Sequence, residues 1–332
     1  MTLVLTGRDV VQLLDMRACI DAVEHAFRLH AAGGTIPPGV LGTHVGGTGF
    51  HVKTAGLSAG SSGDRPVFVA KVNANVPANP VQRGLPTIQG VIALFDVETG
   101  RLLAVLDSME ITSLRTAAAS AVAARHLARA DARVLTVCGC GIQGRSHLRA
   151  LAAVRPIETV LAFDVDAARA ARFAHEMSRE LGIAVTAVDD LASATRRSAI
   201  VVTCTTAHRW LLGREAVAPG TFVAAVGADA SDKQEIEPAL LAASTVVVDV
   251  LEQCAAFGDL HHALDAGVMT RTHVHAELAD VVSGARPGRR SADEVVVFDS
   301  TGTALEDVAA AWLVYERAAA RGVGMAVDLG AA

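Results

Sequence analysis

Residues 132–150 read ARVLTVCGCGIQGRSHLRA, and this stretch decides the fold. Val134, Leu135 and Val137 form an apolar run that stops at Gly139; Gly139, Gly141 and Gly144 then spell G-x-G-x-x-G. Leu148, Leu151 and Val154 follow at helical spacing. A strand, a glycine turn and a helix in this order form the dinucleotide-binding fingerprint. Its glycines allow a tight turn, close approach of backbone to a pyrophosphate, and close packing of helix on strand. The anion rests on the free N–H groups and positive dipole end of the new helix. Glycine-rich turns are common, so the flanking strand and helix carry the specificity.

Residues 159–163 (TVLAF) read as the second strand, and Asp164 ends it, about 20 residues beyond the glycines as the motif expects. A carboxylate there accepts hydrogen bonds from both ribose hydroxyls and repels a 2′-phosphate. The chain continues Asp164, Val165, Asp166, with no arginine directly following, which favours NAD(H) over NADP(H). The other reading of Asp164 is a cap for the helix beginning near Ala167.

The 332 residues allow two domains. Half of the chain is hydrophobic but only 4% is aromatic, so the core is expected from Ala, Val and Leu. The net charge of −6, without a Lys/Arg block, points away from nucleic-acid and lipid surfaces; the arginines at 286–290 read as a solvated loop. Arg8 and Asp9 interrupt any signal-peptide core, and no apolar run approaches the ~18 residues of a membrane helix. Five cysteines (Cys19, Cys138, Cys140, Cys204, Cys254) contain no CxxC pair and read as reduced thiols, so a cytoplasmic location is expected. Cys138 and Cys140 read as small fillers of the tight turn.

Residues 9–14 and 15–30 read as helices, the second capped by Asp15, with Ile20, Val23 and Phe27 on one face. Pro37 and Pro38 then force extended chain. Short β-type runs follow at 49–53, 67–72, 88–95 and 102–106, separated by glycine turns, which describes a mostly antiparallel unit. An alanine-rich helix over 109–128 leads into the nucleotide-binding unit. Strand-like runs then alternate with helical ones at 184–188, 200–204, 221–226, 245–250 and 295–298, the pattern of a parallel, doubly wound sheet. Residues 307–321 form a closing helix with Val308, Ala311, Trp312 and Tyr315 on one side. The expected class is α/β: a Rossmann-type sheet (115–303) plus an α+β domain (1–114 and 304–332).

Three residues suit the chemistry of a nicotinamide enzyme. Lys71 lies in an apolar β-run (VFVAKVN), as an edge-strand charge or a functional ammonium whose pKa burial would lower. Arg115 sits among small residues in SLRTAAAS; arginine grips carboxylates with a charged fork, although a solvated helix arginine is the simpler reading of this residue alone. Asp229 follows a buried-looking strand in VAAVGADASDKQE, where acid/base work and a turn role compete.

Together these match a family. The chain resembles the ornithine cyclodeaminase/mu-crystallin family over nearly its whole length. The matching stretches are Lys71-Val-Asn with Gly84-Leu-Pro-Thr87, Ile111 to Ser120 (ITSLRTAAAS) and Gly139-Cys-Gly-Ile-Gln143. Val226-Gly-Ala-Asp229 with Lys233 and Glu235, and Ser300 to Asp307 (STGTALED), complete the set. The resemblance implies that Lys71 and Arg115 bind the substrate carboxylate, that Lys71 also serves proton transfer, and that Asp229 is the acid/base at the substrate nitrogen. It further implies cofactor contacts from Gly139, Gly141, Ile142, Gln143, Gly144, Asp164, Thr116, Thr205 and Gly227. The α+β domain would bind substrate and form a homodimer.

Two departures bear on the substrate. The family often carries an arginine after the paired prolines, where this chain has Gly39, and a methionine-proline pair where it has Lys53-Thr54. Lys53 would then replace the arginine's charge or hold a second carboxylate, and the plainer reading of Lys53 and His51 is an exposed polar strand face. His51 shares its strand face by the period of two, about where cyclodeaminases use an acidic residue for the substrate's amine. An imidazole is a poor partner for an ammonium, which argues against ornithine. His261, His262, His273 and His275 do not complete a four-ligand set, so no metal is expected, and they read as loop histidines.

The expected activity is NAD-dependent reduction of a small α-imino acid, as by a ketimine reductase or an amino-acid dehydrogenase. The alternatives are a cyclodeaminase that recycles its NAD and a nucleotide-dependent binding protein without turnover.

Overall fold

Paired prolines and glycine turns hold most of the described residues between Thr35 and Asp107 in strands, with one short helix at Asn79–Gln82. The computed structural model describes residues 1–46, 48–58, 65–76 and 78–329. It divides into two compact units, Met1–Arg115 with Thr303–Ala332, and Thr116–Gly302.

The first unit is built on one seven-stranded sheet. β1 (Thr2–Leu5) pairs in parallel with β6 (Leu102–Asp107). From β6 the sheet continues antiparallel through β5 (Ile88–Asp96), β4 (Val67–Asn75), β3 (Thr48–Leu57) and β2 (Thr35–Val45). The strand Met325–Val327 closes the other edge against β1. These two short strands lie outside the sequence reading, because three or four residues carry too little periodicity. On β4, Val67, Val69, Lys71 and Asn73 point to one buried face. Leu57, Ala55, Lys53 and His51 of β3 stand opposite them.

Helices Met16–Ala31 and Ala304–Arg321 pack together, and the second also lies against β3, β4 and β5. Asp15 caps the first as expected, accepting from Ala18 N at 2.9 Å. The closing helix starts at Ala304, earlier than the sequence suggests, because Thr303 and Glu306 form a capping box. Val308, Ala311 and Val314 are buried, whereas Trp312 and Tyr315 are half-buried and stack at 5.5 Å.

The second unit carries an eight-stranded parallel sheet in the order β15-β14-β16-β12-β10-β7-β8-β9. Its strands are β7 (Val134–Cys138), β8 (Thr159–Phe163), β9 (Ala184–Ala187), β10 (Ile200–Thr203), β12 (Phe222–Ala225), β14 (Thr245–Val248), β15 (Ala276–Glu277) and β16 (Val296–Asp299). β10, β12 and β16 are buried at every residue, as strands covered on both faces must be. The order reverses at β7, between β8 and β10, the switch point outside which such sheets bind ligands. A small separate sheet pairs β11 (His208–Leu212) with β13 (Gln234–Ile236).

Among the described residues no helix is long and apolar enough to cross a membrane. The five cysteines are free thiols, and all but Cys204 are buried.

Candidate active site

Lys71 sits on an interior strand, which removes the edge-strand reading. Its side chain is buried, and its Nζ lies 2.6 Å from Asp307 Oδ2. Arg115 is also buried, against the simpler expectation of a solvated helix arginine. Its NH1 meets Glu306 Oε2 at 2.5 Å, and its Nε lies 2.9 Å from Asp307 Oδ1. Both carboxylates come from the first turn of the closing helix, 191 positions along the chain from Arg115 to Glu306, so no local pattern around Arg115 reveals them. Burial, reinforced by Arg115, pushes Lys71 down to about 7, with Asp307 working in the opposite direction. Burial would raise Asp307, but Arg115 and Lys71 outweigh it and hold this carboxyl below its ordinary value.

Lys53 stands directly across from Lys71, and His51 across from Asn73, so the shared face that the period of two predicts is present. Asn73 Oδ1 accepts from Ser108 Oγ at 2.7 Å, tying β4 to the start of the helix Ser108–Leu127 that carries Arg115. Gly39 pairs with Thr54, and a Cβ at Gly39 would lie 2.9 Å from Thr54 Oγ1.

In the second unit, Gly139 adopts φ +102°, which a side chain would strain, and a Cβ on Gly144 would lie 2.2 Å from Gly139 O. Gly141 caps the helix Ile142–Val154 without a side-chain hydrogen bond, and no atom lies within 4 Å of where its Cβ would be. The turn therefore presents open backbone at a 13-residue helix start, which fits a pyrophosphate. Ile142, at the first helical position, is 72% exposed. Gln143 and Gly144 follow it on the same turn of helix.

Asp164 is not the cap of the next helix; Asp166 is, accepting from Arg169 N. Instead, Asp164 Oδ2 accepts from Cys140 N and Oδ1 from Asp166 N, each at 2.9 Å. The carboxylate thus fastens the glycine turn to the end of β8. The Arg169 guanidinium lies 3.5 Å from Asp164 Oδ1, brought there by the helix although no arginine directly follows the aspartate. Cys138 and Cys140 are buried fillers, and burial pushes both thiols up, Cys140 to about 12.

Thr205 and Gly227 follow β10 and β12, and one buried residue joins them. Glu235 Oε1 accepts from Thr205 N at 2.6 Å and Thr205 Oγ1 at 2.7 Å, while Oε2 accepts from Gly227 N at 2.7 Å. Glu235 N and Ile236 N donate in turn to Asp259 Oδ1 at 2.8 Å each. Thr116 lies on the helix Ser108–Leu127 and is half-buried. Asp229 lies in the loop beyond β12, exposed, with Lys233 Nζ at 2.5 Å from Oδ1.

The first unit thus gathers Lys71, Arg115, Lys53 and His51, and the second carries the glycine turn, Asp164, Thr205, Gly227 and Asp229. Glu306, Asp307, Glu235 and Arg169 received no role from sequence reasoning. The two acids of the closing helix hide behind capping, which already explains acids in a first turn. Among the described residues no group of three or more His, Cys, Asp or Glu is placed to hold a metal ion. His261 and His262 lie on the helix Asp259–Asp265, not in a loop, and Arg289 is held by the Leu127, Ser291 and Glu294 carbonyls.

The sequence pattern of the ornithine cyclodeaminase/mu-crystallin family matches residues 1–322. The chain belongs to this family. Among family members, it is 38% identical to the alanine dehydrogenase of Archaeoglobus fulgidus over 324 residues, 97% of each chain. It is 33% identical to the iminosuccinate reductase of Paracoccus denitrificans over 327 residues, 98% of this chain and 100% of that one. An archaeal alanine dehydrogenase dimer with bound NAD superposes with a TM-score of 0.93 at 36% identity, covering 99% of both chains. The Thermococcus litoralis Δ1-pyrroline-2-carboxylate reductase, in complex with NADH and L-proline, gives a TM-score of 0.94 at 34% identity, covering 98% of this chain and 100% of that one.

Proposed function

We propose that the chain is an NAD(H)-dependent reductase of small α-imino acids, working reversibly as an amino-acid dehydrogenase. The observation that carries this reading is the buried pair of cations Lys71 and Arg115, brought together at Asp307, in a chain whose relatives are NAD(H) enzymes of imino and amino acids. In it, Lys71 and Arg115 hold the carboxylate, and that fixed orientation is what brings the imine carbon within reach of reduction. Bound at the glycine turn, NADH supplies the hydride. Asp229 manages the proton on the substrate nitrogen, and Lys53 adds positive charge beside Lys71. Glu235 keeps Thr205 and Gly227 in place for the cofactor.

The finer readings rest on further features. Asp164 supports NAD(H) over NADP(H), since a carboxylate at that position opposes a 2′-phosphate. A homodimer is supported by the dimer of the archaeal alanine dehydrogenase and by a row of aligned apolar residues on the outer sheet face. In that row Leu41 is 69%, Val72 42% and Val91 45% exposed, and Val52 joins them across the strands. The composition supports a cytoplasmic location.

NADH oxidation measured with ammonia plus pyruvate, with ammonia plus oxaloacetate, and with Δ1-pyrroline-2-carboxylate tests the proposal. Turnover of at least one of them supports it. No NADH oxidation with any, together with ammonia release from a diamino acid, replaces it with a cyclodeaminase. His51, where a cationic side chain would call for an acid, is the feature that weighs against that outcome.

A further inference from the structure

Lys71 and Arg115 share the carboxylate of Asp307. Asp307 directs Oδ2 to Lys71 Nζ at 2.6 Å and Oδ1 to Arg115 Nε at 2.9 Å, so its two oxygens span ammonium and guanidinium. It is fully buried, and so are both partners. It lies in the first turn of the closing helix, where Thr303 and Glu306 complete the capping box without it. An uncompensated ionised carboxylate in such a place is costly, and the same holds for two cations held side by side without an anion.

We propose that Asp307 is a positioning residue for the reduction: it sets the spacing of Lys71 and Arg115 and keeps Lys71 an ammonium for the substrate carboxylate. This rests on the reading that Lys71 and Arg115 bind that carboxylate. Among the described residues, the charged and titratable groups around the pair include Lys53 and His51 on β3, Arg115 on its helix, Glu306 beside Asp307, and Cys19 on the helix Met16–Ala31. Lys53 and Arg115 both disfavour a proton on Lys71, whereas Asp307 favours it. Glu306 is engaged with Arg115 NH1 at 2.5 Å, and burial pushes the Cys19 thiol up to about 12, so it stays neutral near neutrality. Ile92, across from Lys71 on β5, adds no charge. Asp307 is thus the carboxylate in direct contact with Lys71, and its removal should leave the ammonium opposed by two cations.

The test uses pyrrole-2-carboxylate, a planar α-carboxylate whose ring nitrogen does not titrate near neutrality, as a competitive ligand from pH 5.5 to 8.5. In the wild type its inhibition constant should rise as Lys71 loses its proton. Asp307→Asn should move that midpoint down by about one pH unit or more. It should weaken binding about tenfold at pH 7, with NADH binding unchanged. Asp307→Glu retains the charge but displaces it by a methylene; the midpoint should stay while affinity falls at every pH. A merely structural role would lower thermal stability with the midpoint unmoved, and an unmoved midpoint in Asp307→Asn overturns the proposal. Should that variant not fold, unchanged affinity in Asp307→Glu overturns it instead. Lys71→Met separates the two levels: if it leaves pyrrole-2-carboxylate binding intact, the reading of Lys71 as a carboxylate ligand fails, whatever Asp307 does.

Discussion

Lys53 and Lys71 face each other across adjacent antiparallel strands, in direct register on the same side of the sheet. Like charges so placed destabilise a strand pair. Asp307 answers Lys71. If Lys53 holds a second carboxylate, Lys53→Met should reduce kcat/KM for oxaloacetate with ammonia about tenfold more than for pyruvate with ammonia. Equal losses on both substrates would make Lys53 a general carboxylate ligand.

Asp229 should prove the acid/base group. Asp229→Asn should lower kcat about 100-fold or more. The KM for NADH should stay within a factor of about three, because the substitution preserves the shape of the side chain. Near-normal turnover would remove Asp229 from the mechanism and leave it a loop residue paired with Lys233.

Gly227 approaches Glu235 so closely that a Cβ would lie 2.4 Å from its Cδ and 2.5 Å from Thr205 O. Both neighbours are held by hydrogen bonds and cannot withdraw cheaply. Gly227→Ala should therefore cost about 1–3 kcal/mol in urea unfolding and weaken NADH binding, measured by fluorescence titration. Full retention of both would show that the loop beyond β12 has room to move.

Asp164 and Arg169 should pull cofactor choice in opposite directions. Asp164→Ala should lower the NADH-to-NADPH ratio of kcat/KM about tenfold or more, because the carboxylate no longer opposes a 2′-phosphate. Arg169→Ala should raise the ratio, since a guanidinium 3.5 Å from Asp164 can take that phosphate. A ratio unchanged by either variant would place discrimination elsewhere.

The buried Lys71 carries a linkage signature. Its folded value of about 7 lies below the ordinary 10.5, so between these limits the unfolded chain binds the extra proton. Stability from this group therefore rises with pH from about 7 toward 10, and the penalty of burying the ammonium is fully present below pH 7. The difference in unfolding free energy between wild type and Lys71→Met should rise across that interval in favour of the wild type. A flat difference would mean that Lys71 keeps its proton throughout.

The dinucleotide-binding half of the protein is readable along the chain itself. G-x-G-x-x-G between a strand and a helix is a local signal, because turn, close approach and helix packing all involve residues near in the chain. The acidic residue ending β8 was legible for the same reason, and so were the parallel alternation of the second unit and the shared face of His51 and Lys53. Tertiary structure decided the rest. That Lys71 is interior depends on β3 and β5 pairing on either side of β4, and that Lys53 meets it depends on register. Glu306 and Asp307 reach Arg115 from the far end of the chain, and Glu235 joins two loops that follow different strands. Propensity and periodicity act between neighbours in sequence. A buried charge finds its counter-charge only when the chain has folded around both, and such pairs leave no mark on either neighbourhood alone.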